Sequence, residues 1–251
     1  MNKRGQVTLF VILALIIVVA GVLIWKVIPS IKSESGLDVN NPQGYIQTCV
    51  EDSLEEAVEI LAPQGGSIEP EHYYMYFGDN IEYLCYSNNY YQTCTVQQPL
   101  LKNHIESEIE EYISDVVDEC FNSLKESYQN KNYVTSLKPG EMKVELLPKR
   151  IAATFNYSLA ISKGEDSQDY EQFNVFVNNN IYELISIANS IVDWESTYGD
   201  AETTIYMTYY PDLKVEKKKQ SDGTTIYIIT DRNTEDLFQF ASRSMAWPPG
   251  Y

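Results

Sequence analysis

The stretch on which the fold of this chain depends is Tyr83-Leu84-Cys85-Tyr86-Ser87-Asn88-Asn89-Tyr90-Tyr91-Gln92-Thr93-Cys94. Two tyrosine-rich, strand-like runs flank Asn88-Asn89, and asparagine tolerates the left-handed backbone of a tight turn. The pattern predicts a β-hairpin in which Cys85 and Cys94 face each other across the ladder. Opposed residues of such a ladder are close enough to form a disulfide.

An amphipathic helix is predicted on each side of this hairpin. The first covers 42–61, between a proline suited to the first helical turn and the Gly65-Gly66 pair. The second runs from residue 100 to about residue 124. Cys49 and Cys120 lie on the apolar stripes of these helices, so packing of the stripes would bring the two cysteines together as a second disulfide. The alternative is that the cysteines are buried free thiols.

Strand patterns and one further helical pattern occupy the second half of the chain. A helix that ends before Gly199 is predicted from an apolar stripe with helical spacing. The members of this stripe are Ile181, Leu184, Ile185, Ala188, Ile191, Val192 and Trp194. The strands are predicted over 142–147, 151–161, 170–177, 203–219 and 224–230, and 234–243 is predicted as a short closing helix or strand.

Together these elements predict an α+β fold in which antiparallel sheet packs against helices and disulfides link them. We expect a helix-hairpin-helix lobe with the disulfides over residues 42–135. A lobe of antiparallel sheet plus one helix is expected over 136–251. A leader with a transmembrane helix, residues 1–28, and a polar stalk, residues 29–41, would precede the two lobes.

A long apolar segment follows a basic pair at the start of the chain. Val7–Trp25 carries no charge, and at about 1.5 Å per residue such a helix spans the roughly 30 Å of bilayer hydrocarbon. Lys3 and Arg4 would keep the N-terminus in the cytoplasm. We therefore expect a single-pass cell-membrane protein, anchored through residues 7–27, with the bulk of the chain extracellular. A cleavable secretory peptide fits poorly, because the run is long and no Ala-x-Ala site follows it.

The residues around this segment allow a closer comparison. Lys3-Arg4-Gly5-Gln6-Val7-Thr8-Leu9 and the apolar run resemble the class III signal peptides of archaeal type IV pilins and pilin-like proteins. The resemblance implies cleavage between Gly5 and Gln6 and retention of the apolar helix, as a membrane anchor or as part of a filament core. Phe10 occupies the position at which many pilins carry a glutamate. The alternative is an unprocessed signal anchor.

The part of the chain beyond the leader is strongly acidic. It contains all 36 acidic side chains but only 15 of the 18 basic ones, because Lys3, Arg4 and Lys26 lie before residue 29. This charge repels phosphate backbones, so we expect no nucleic-acid partner. We also expect no metal and no cofactor, since calcium-loop and Cys-x-x-Cys patterns do not occur and the two histidines are isolated.

Motifs of catalysis do not occur in the sequence. The chain lacks the serine-hydrolase, zinc-protease and nucleotide-binding patterns. His104 lies among glutamates, where a solvated surface histidine is expected, and His72 begins a strand-like run. We therefore expect no catalytic residue and no enzymatic activity.

Tyrosine is unusually abundant, with 20 residues. Its large apolar face and its hydroxyl suit contacts with proteins and sugars. A recognition surface is predicted on Tyr73, Tyr74, Tyr90 and Tyr91. The alternative is that alternate tyrosines fill the core. Asn156 begins the acceptor pattern for N-glycosylation, although it lies within a predicted strand.

The sequence thus predicts a non-enzymatic, pilin-like cell-surface protein that acts in filament assembly or surface attachment. Its partners would be the membrane, further copies of itself or other pilin-like subunits. The alternative is a monomeric membrane-anchored adhesin or receptor whose extracellular domain binds a protein or a glycan.

Overall fold

The computed structural model describes residues 40–246, which lie in one compact unit, residues 39–251. The predicted processing site at Gly5 and Gln6, the transmembrane segment and most of the stalk fall outside these residues. Within residues 40–246, no helix combines the length and the apolar character that a membrane span requires.

Four α-helices lie in the described part of the chain. They are α1 Pro42–Leu61, α2 Leu101–Asn130, α3 Ile181–Tyr198 and α4 Thr204–Tyr209, and a 3₁₀ turn, Ala62–Gln64, follows α1. The side chain of Asn41 accepts a hydrogen bond from the backbone N–H of Gly44 (3.1 Å) and caps α1, as expected for asparagine at this position. The bounds predicted for α1 are confirmed, whereas α2 continues to Asn130, beyond the predicted end.

Twelve strands lie in the same residues. They are β1 Tyr73–Tyr76, β2 Asp79–Tyr86, β3 Thr95–Val96, β4 Val134–Lys138, β5 Met142–Leu147, β6 Arg150–Phe155, β7 Ser158–Lys163, β8 Asp166–Tyr170, β9 Phe173–Asn178, β10 Leu213–Lys219, β11 Thr225–Asp231 and β12 Leu237–Arg243. The α+β class predicted from the sequence is confirmed.

The largest sheet has six strands in the order β1-β2-β12-β11-β10, with β3 beside β2. All its pairs are antiparallel except β2 with β12, which run parallel and shift register between Ala241 and Ser242. This parallel pair brings the two predicted lobes into one sheet. A purely antiparallel sheet would have needed β10, β11 and β12 all to run in the opposite direction relative to β2.

The remaining six strands form an antiparallel meander of three long strands, each of which is interrupted once by a bend. On one side of the bend lie β4, β7 and β8, which we call the outer half, and on the other side lie β5, β6 and β9, which we call the inner half. The bend lies where the backbone N–H of Asn156 donates to the carbonyl of Glu141 (2.9 Å). A Cβ at Gly140 would lie only 1.9 Å from the carbonyl oxygen of Asn156, so the bend requires glycine there. The single strand predicted over 151–161 is therefore two strands.

Helix α1 covers one edge of the inner half of this meander. Gln47 of α1 donates to the carbonyl of Phe176 (3.0 Å) and accepts from its N–H (3.0 Å). Gln43, one helical turn earlier, bonds the backbone of Asn174 in the same two ways. Residues four apart on a helix are about 6 Å apart along its axis, close to the two-residue repeat of a strand. The amide side chains therefore replace a neighbouring strand.

Helix α2 covers the opposite edge with carboxylates. Glu106 accepts from the N–H of Leu146 (2.8 Å), and Glu110 accepts from the N–H of Val144 (2.7 Å). The backbone groups at both edges of β5-β6-β9 are thus hydrogen-bonded to side chains of the helices, which prevents these edge strands from pairing with other strands. Glu106 and Glu110 therefore have a structural role at this edge.

The main core lies between these helices and the sheets. The Phe121 ring stacks on Tyr157 at a centroid distance of 4.3 Å and meets Phe173 edge-on at 4.9 Å. The Tyr157 hydroxyl donates to Asp118 (2.7 Å). Burial, followed by the hydrogen bond to Asp118 and the charge of that carboxylate, raises the pKa of Tyr157 to about 12.

Both disulfides have the partners predicted from the sequence. Cys49 of α1 binds Cys120 of α2 with the two Cα atoms 6.0 Å apart, and Cys85 binds Cys94 at 5.3 Å. These spacings lie in the usual range for disulfides. The bridges therefore link the two long helices and close the loop that follows β2.

The tight turn predicted at Asn88-Asn89 is wrong. Residues 87–94 form a longer loop, and Cys85 lies opposite Val96 in the ladder. The N–H of Tyr91 donates to the carbonyl of Met245 (2.7 Å), so this loop is hydrogen-bonded to the segment that follows β12. The two-residue turn lies instead at Phe77-Gly78, where both residues have positive φ, as a tight hairpin requires.

Two further predictions of the second half are wrong. Residues 203–219 are not one strand, because α4 occupies the first part and only β10 is extended. In α3, Trp194 does not lie in the core: its exposed fraction is 41%, whereas Glu195 is only 2% exposed. The core-facing position near the end of this helix is thus a carboxyl group.

Candidate binding site

The four tyrosines predicted as one recognition surface lie in two separate places. Tyr73 is exposed on β1, opposite Glu82 near the middle of β2, and Tyr74 is half-buried on the other face of the sheet. Tyr90 and Tyr91 are exposed in the loop beyond the far end of β2. The structure therefore does not bring the four side chains together.

A larger concentration of exposed aromatic side chains lies at α3 and α4. A cleft of 730 Å³ opens between these helices and the turn that connects β11 to β12. Its rings are those of Tyr182, Tyr209 and Tyr210, and its polar groups include Asp212 and Asp231. We call this the tyrosine cleft.

A second hollow continues the same surface. It measures 440 Å³ and is lined by Trp194, Ile205 and Tyr206 as well as by Tyr209 and Tyr210. Since the last two residues line both hollows, the exposed rings form one continuous aromatic surface. Tyr209 is 74% exposed and Tyr210 is 57% exposed, so neither ring is used in the core.

Local sequence explains why these rings face solvent. Pro211 cannot continue a helix, and α4 ends immediately before Tyr210. The N–H of Tyr210 donates to the carbonyl of Tyr206 (2.8 Å), and the carbonyl of Tyr210 accepts from the N–H of Leu213 (2.9 Å). The chain thus turns sharply at the two tyrosines and then enters β10.

Hydrogen bonds also fix the polar wall of the cleft. One oxygen of Asp231 accepts from the N–H of Asn233 (2.8 Å), and the other accepts from the side chain of Asn180 (3.0 Å). The Glu183 carboxylate, which also lines the cleft, accepts from the backbone N–H of Lys149 (3.1 Å). The side chains on the wall are therefore held in place before any ligand binds.

This arrangement is suited to binding a polyhydroxylated ligand. Tyrosine faces offer apolar contact, while carboxylates and amides accept and donate hydrogen bonds. Ligand sites in proteins typically combine an apolar lining with a few fixed polar groups in a hollow of this size. The tyrosine cleft has both components.

His104, Ser67 and Glu82 form the most enzyme-like group among residues 40–246. Ser67 Oγ donates to Glu82 and lies 2.7 Å from His104 Nε2. In this arrangement the hydroxyl proton lies toward Glu82, and His104 Nε2 can donate to Ser67 Oγ rather than accept its proton. A serine nucleophile requires the opposite arrangement. His104 is half-buried, so it is only partly solvated.

The other candidate residues have simpler surroundings. The ring of His72 lies 4.4 Å from that of Tyr86 and 4.8 Å from that of Tyr83, a packing contact on the outer face of the sheet. In the part of the chain with described coordinates, no three His, Cys, Asp or Glu side chains are placed to hold a metal ion. Asn156 is exposed at the bend between β6 and β7. Its glycosylation stays a prediction.

The tyrosine cleft differs from the recognition surface predicted from the sequence, which lies in the tyrosine-rich first lobe. The sequence signal for the cleft is Tyr209-Tyr210-Pro211, in which two large rings immediately precede a helix-ending residue.

No protein-family model, no curated protein and no solved structure matches this chain.

Proposed function

We propose that this chain is a membrane-anchored cell-surface protein whose external part attaches to a glycan through the tyrosine cleft. The observation that carries the proposal is the pair of exposed rings, Tyr209 and Tyr210, beside the exposed carboxylate of Asp212 and the hydrogen-bonded carboxylate of Asp231. An external location is supported by the two disulfides, which persist in oxidising environments. The basic pair and apolar run of the leader support the anchor.

Replacing Tyr209 and Tyr210 together with serine is expected to weaken glycan binding. Each lost ring contact is expected to cost about 1 to 2 kcal/mol, which is about a five- to thirtyfold change in affinity per ring. Binding of the full-length chain to a panel of immobilised neutral and acidic polysaccharides measures the effect. Circular dichroism of the variant should be native, because both rings lie outside the core.

The matched control replaces Tyr90 and Tyr91 with serine, a second pair of exposed neighbouring tyrosines. Unchanged binding by this control and weaker binding by the cleft variant would support the tyrosine cleft. The reverse result would indicate that the glycan binds to the loop after β2. If no polysaccharide binds but attachment to cell-surface protein persists, the glycan proposal is wrong and the partner is a protein.

A second candidate function is assembly into a pilin-like filament. The observation that favours it is the leader, in which Lys3-Arg4-Gly5-Gln6 precedes an uncharged apolar run. In this function the processed helix would pack with the helices of other subunits. Attachment and assembly are compatible, because the tyrosine cleft and the leader use different residues.

The mature N-terminus discriminates between these functions. If the pilin-processing system acts on the chain, mass spectrometry of protein from native membranes is expected to find Gln6 at its start. Replacing Leu13 with glutamate should then abolish the polymer, since a charge in a membrane-spanning helix costs about 2.5 to 3.5 kcal/mol or more. A chain that retains Lys3 and Arg4 would leave attachment as the function and the leader as a simple anchor.

A further inference from the structure

The sheet edges of this domain differ in how they are protected from pairing with another strand. Edge strands expose unpaired backbone groups, and native proteins commonly cover them or place charges along them. Strand β10 carries Lys214, Lys217, Lys218 and Lys219, and the edges of β5 and β9 are covered by side chains of α2 and α1. Strand β1, in contrast, is Tyr73-Tyr74-Met75-Tyr76 and carries no charge.

The hydrogen-bonding pattern identifies which backbone groups of β1 remain open. The N–H of Tyr83 donates to the carbonyl of His72 (3.0 Å), which fixes the phase of the antiparallel pair. The backbone groups of successive residues in such a pair point alternately to the partner strand and to the open side. The backbone N–H and C=O groups of Tyr74 and Tyr76 therefore point to β2. The N–H and C=O groups of Tyr73 and Met75 therefore point away from the sheet. Across residues 40–246, no hydrogen bond to these groups occurs from outside the strand pair.

The side chains at this edge are unusually apolar for an acidic protein. Met75 is 66% exposed and Phe77, in the adjoining turn, is 94% exposed. Residues 73–78 include no ionisable side chain other than tyrosine, in a chain with a net charge of −18. This segment is therefore a place where two copies of the chain can approach without like charges meeting.

We propose that β1 pairs antiparallel with β1 of a second copy of this chain, about a two-fold axis at Tyr74. In this register Tyr73 of one copy lies opposite Met75 of the other, and both residues exchange backbone hydrogen bonds with their partners. Every outward-facing group of Tyr73 and Met75 is then satisfied. The interface is isologous, so association stops at a dimer.

Side-chain chemistry agrees with this register. Each Met75 sulfur lies beside a Tyr73 ring, a favourable contact. Glu71 falls opposite Phe77 of the second copy, so no acidic side chain faces another across the ladder. A pairing of β10 with itself would instead bring lysines together. A second copy is thus a partner whose charges and free backbone groups match those of β1.

A cysteine at position 74 tests the register directly. All four native cysteines are in disulfides, so an added thiol is the sole reactive one. Residues opposed at a two-fold axis in the non-hydrogen-bonded position have Cβ atoms about 4.5 to 5.5 Å apart, close to disulfide distance. Mild oxidation of full-length Tyr74→Cys is expected to give a disulfide-linked dimer.

The matched control is Tyr76→Cys, on the same strand and the same face. In the proposed register its two copies are offset by four residues, or about 13 Å, so disulfide formation should be about tenfold lower or less. Association through the leader alone would not distinguish positions 74 and 76. Equal cross-linking at both positions, or none at either, overturns the proposal.

A second pair of variants avoids any effect of Tyr74→Cys on folding. Met75→Lys places a charge in the proposed interface, one residue from its two-fold axis, whereas Val134→Lys places the same charge on the exposed edge strand β4. Sedimentation of the full-length chain should show a concentration-dependent dimer that Met75→Lys abolishes and Val134→Lys leaves unchanged. A wild-type chain that does not gain mass up to about 1 mM, or a Met75→Lys chain that still dimerises, overturns the proposal.

Discussion

Replacing Cys49 and Cys120 with alanine is expected to lower the free energy of unfolding by about 4 kcal/mol. The bridge joins α1 to α2 across a separation of 71 residues. In the unfolded chain it removes the conformations in which these positions are far apart, and this entropic effect grows with loop length. Since domains are typically stable by about 5 to 15 kcal/mol, the change is a large part of the total.

The second disulfide supplies a matched control within the same chain. Cys85 and Cys94 are separated by only 9 residues, so replacing both with alanine is expected to cost about 2 to 3 kcal/mol. Urea unfolding of residues 39–251, followed by circular dichroism, measures both losses. Equal losses for the two pairs would contradict the loop-length argument and would place the stabilisation in the folded state instead.

Long periodic patterns are the part of this fold that the sequence predicts well. The stripe of α1 and the stripe of α2 each extend over several turns, and each includes one cysteine. Burial of both stripes against each other leaves few ways to place Cys49 and Cys120 except side by side. The pairing was therefore predictable because it follows from helix packing, which depends on local sequence.

Short elements and distant pairings were not predictable in the same way. Helix α4 has only six residues, and its apolar and aromatic residues have strand-like propensity, so tertiary contacts decide its conformation. The parallel pairing of β2 with β12 joins residues more than a hundred positions apart, such as Tyr83 and Ala241. No local pattern encodes that choice of neighbour.

The same limits explain what was missed at the candidate site. The tyrosine cleft combines α3, α4 and the turn after β11, and its rings become neighbours only after α4 forms. The sequence indicated that tyrosine is abundant, but not which tyrosines would remain exposed together. Edge protection by Gln43 and Gln47 is equally invisible in the sequence, because glutamines spaced four apart on a helix are ordinary surface residues.

In α3 the helical period is predicted correctly, but the wrong residue, Trp194 instead of Glu195, is assigned to its last core-facing position. The stripe of α3 through Ala188, Ile191 and Val192 continues at helical spacing to position 195, whereas Trp194 is displaced around the helix axis. Because tryptophan is more apolar than glutamate, the sequence pattern predicts Trp194 in the core. In the structure Trp194 lines the aromatic surface, and the carboxyl group of Glu195 lies inside.

Three buried donors explain why a carboxyl group is tolerated at this position. The Tyr227 hydroxyl of β11 donates to Glu195 Oε1, and Ser242 Oγ of β12 donates to Oε2 (3.1 Å). The backbone N–H of Ala201 also donates to Oε1 (3.1 Å). Burial, followed by the charge of Glu195, raises the pKa of the Tyr227 hydroxyl above its ordinary value. One side chain thus joins α3 to the central strands of the large sheet.

Replacing Glu195 with alanine is expected to destabilise the fold by about 3 to 5 kcal/mol, because three buried donors lose their acceptor at once and a cavity remains. Urea unfolding measures the loss. Glu195→Gln is the matched control: it retains one carbonyl oxygen for Tyr227 and Ala201, and its amide can donate to Ser242. The glutamine variant should therefore lose less than half as much stability. If alanine and glutamine cost the same, the hydrogen bonds do not stabilise this position, and the shape of the side chain alone accounts for its burial.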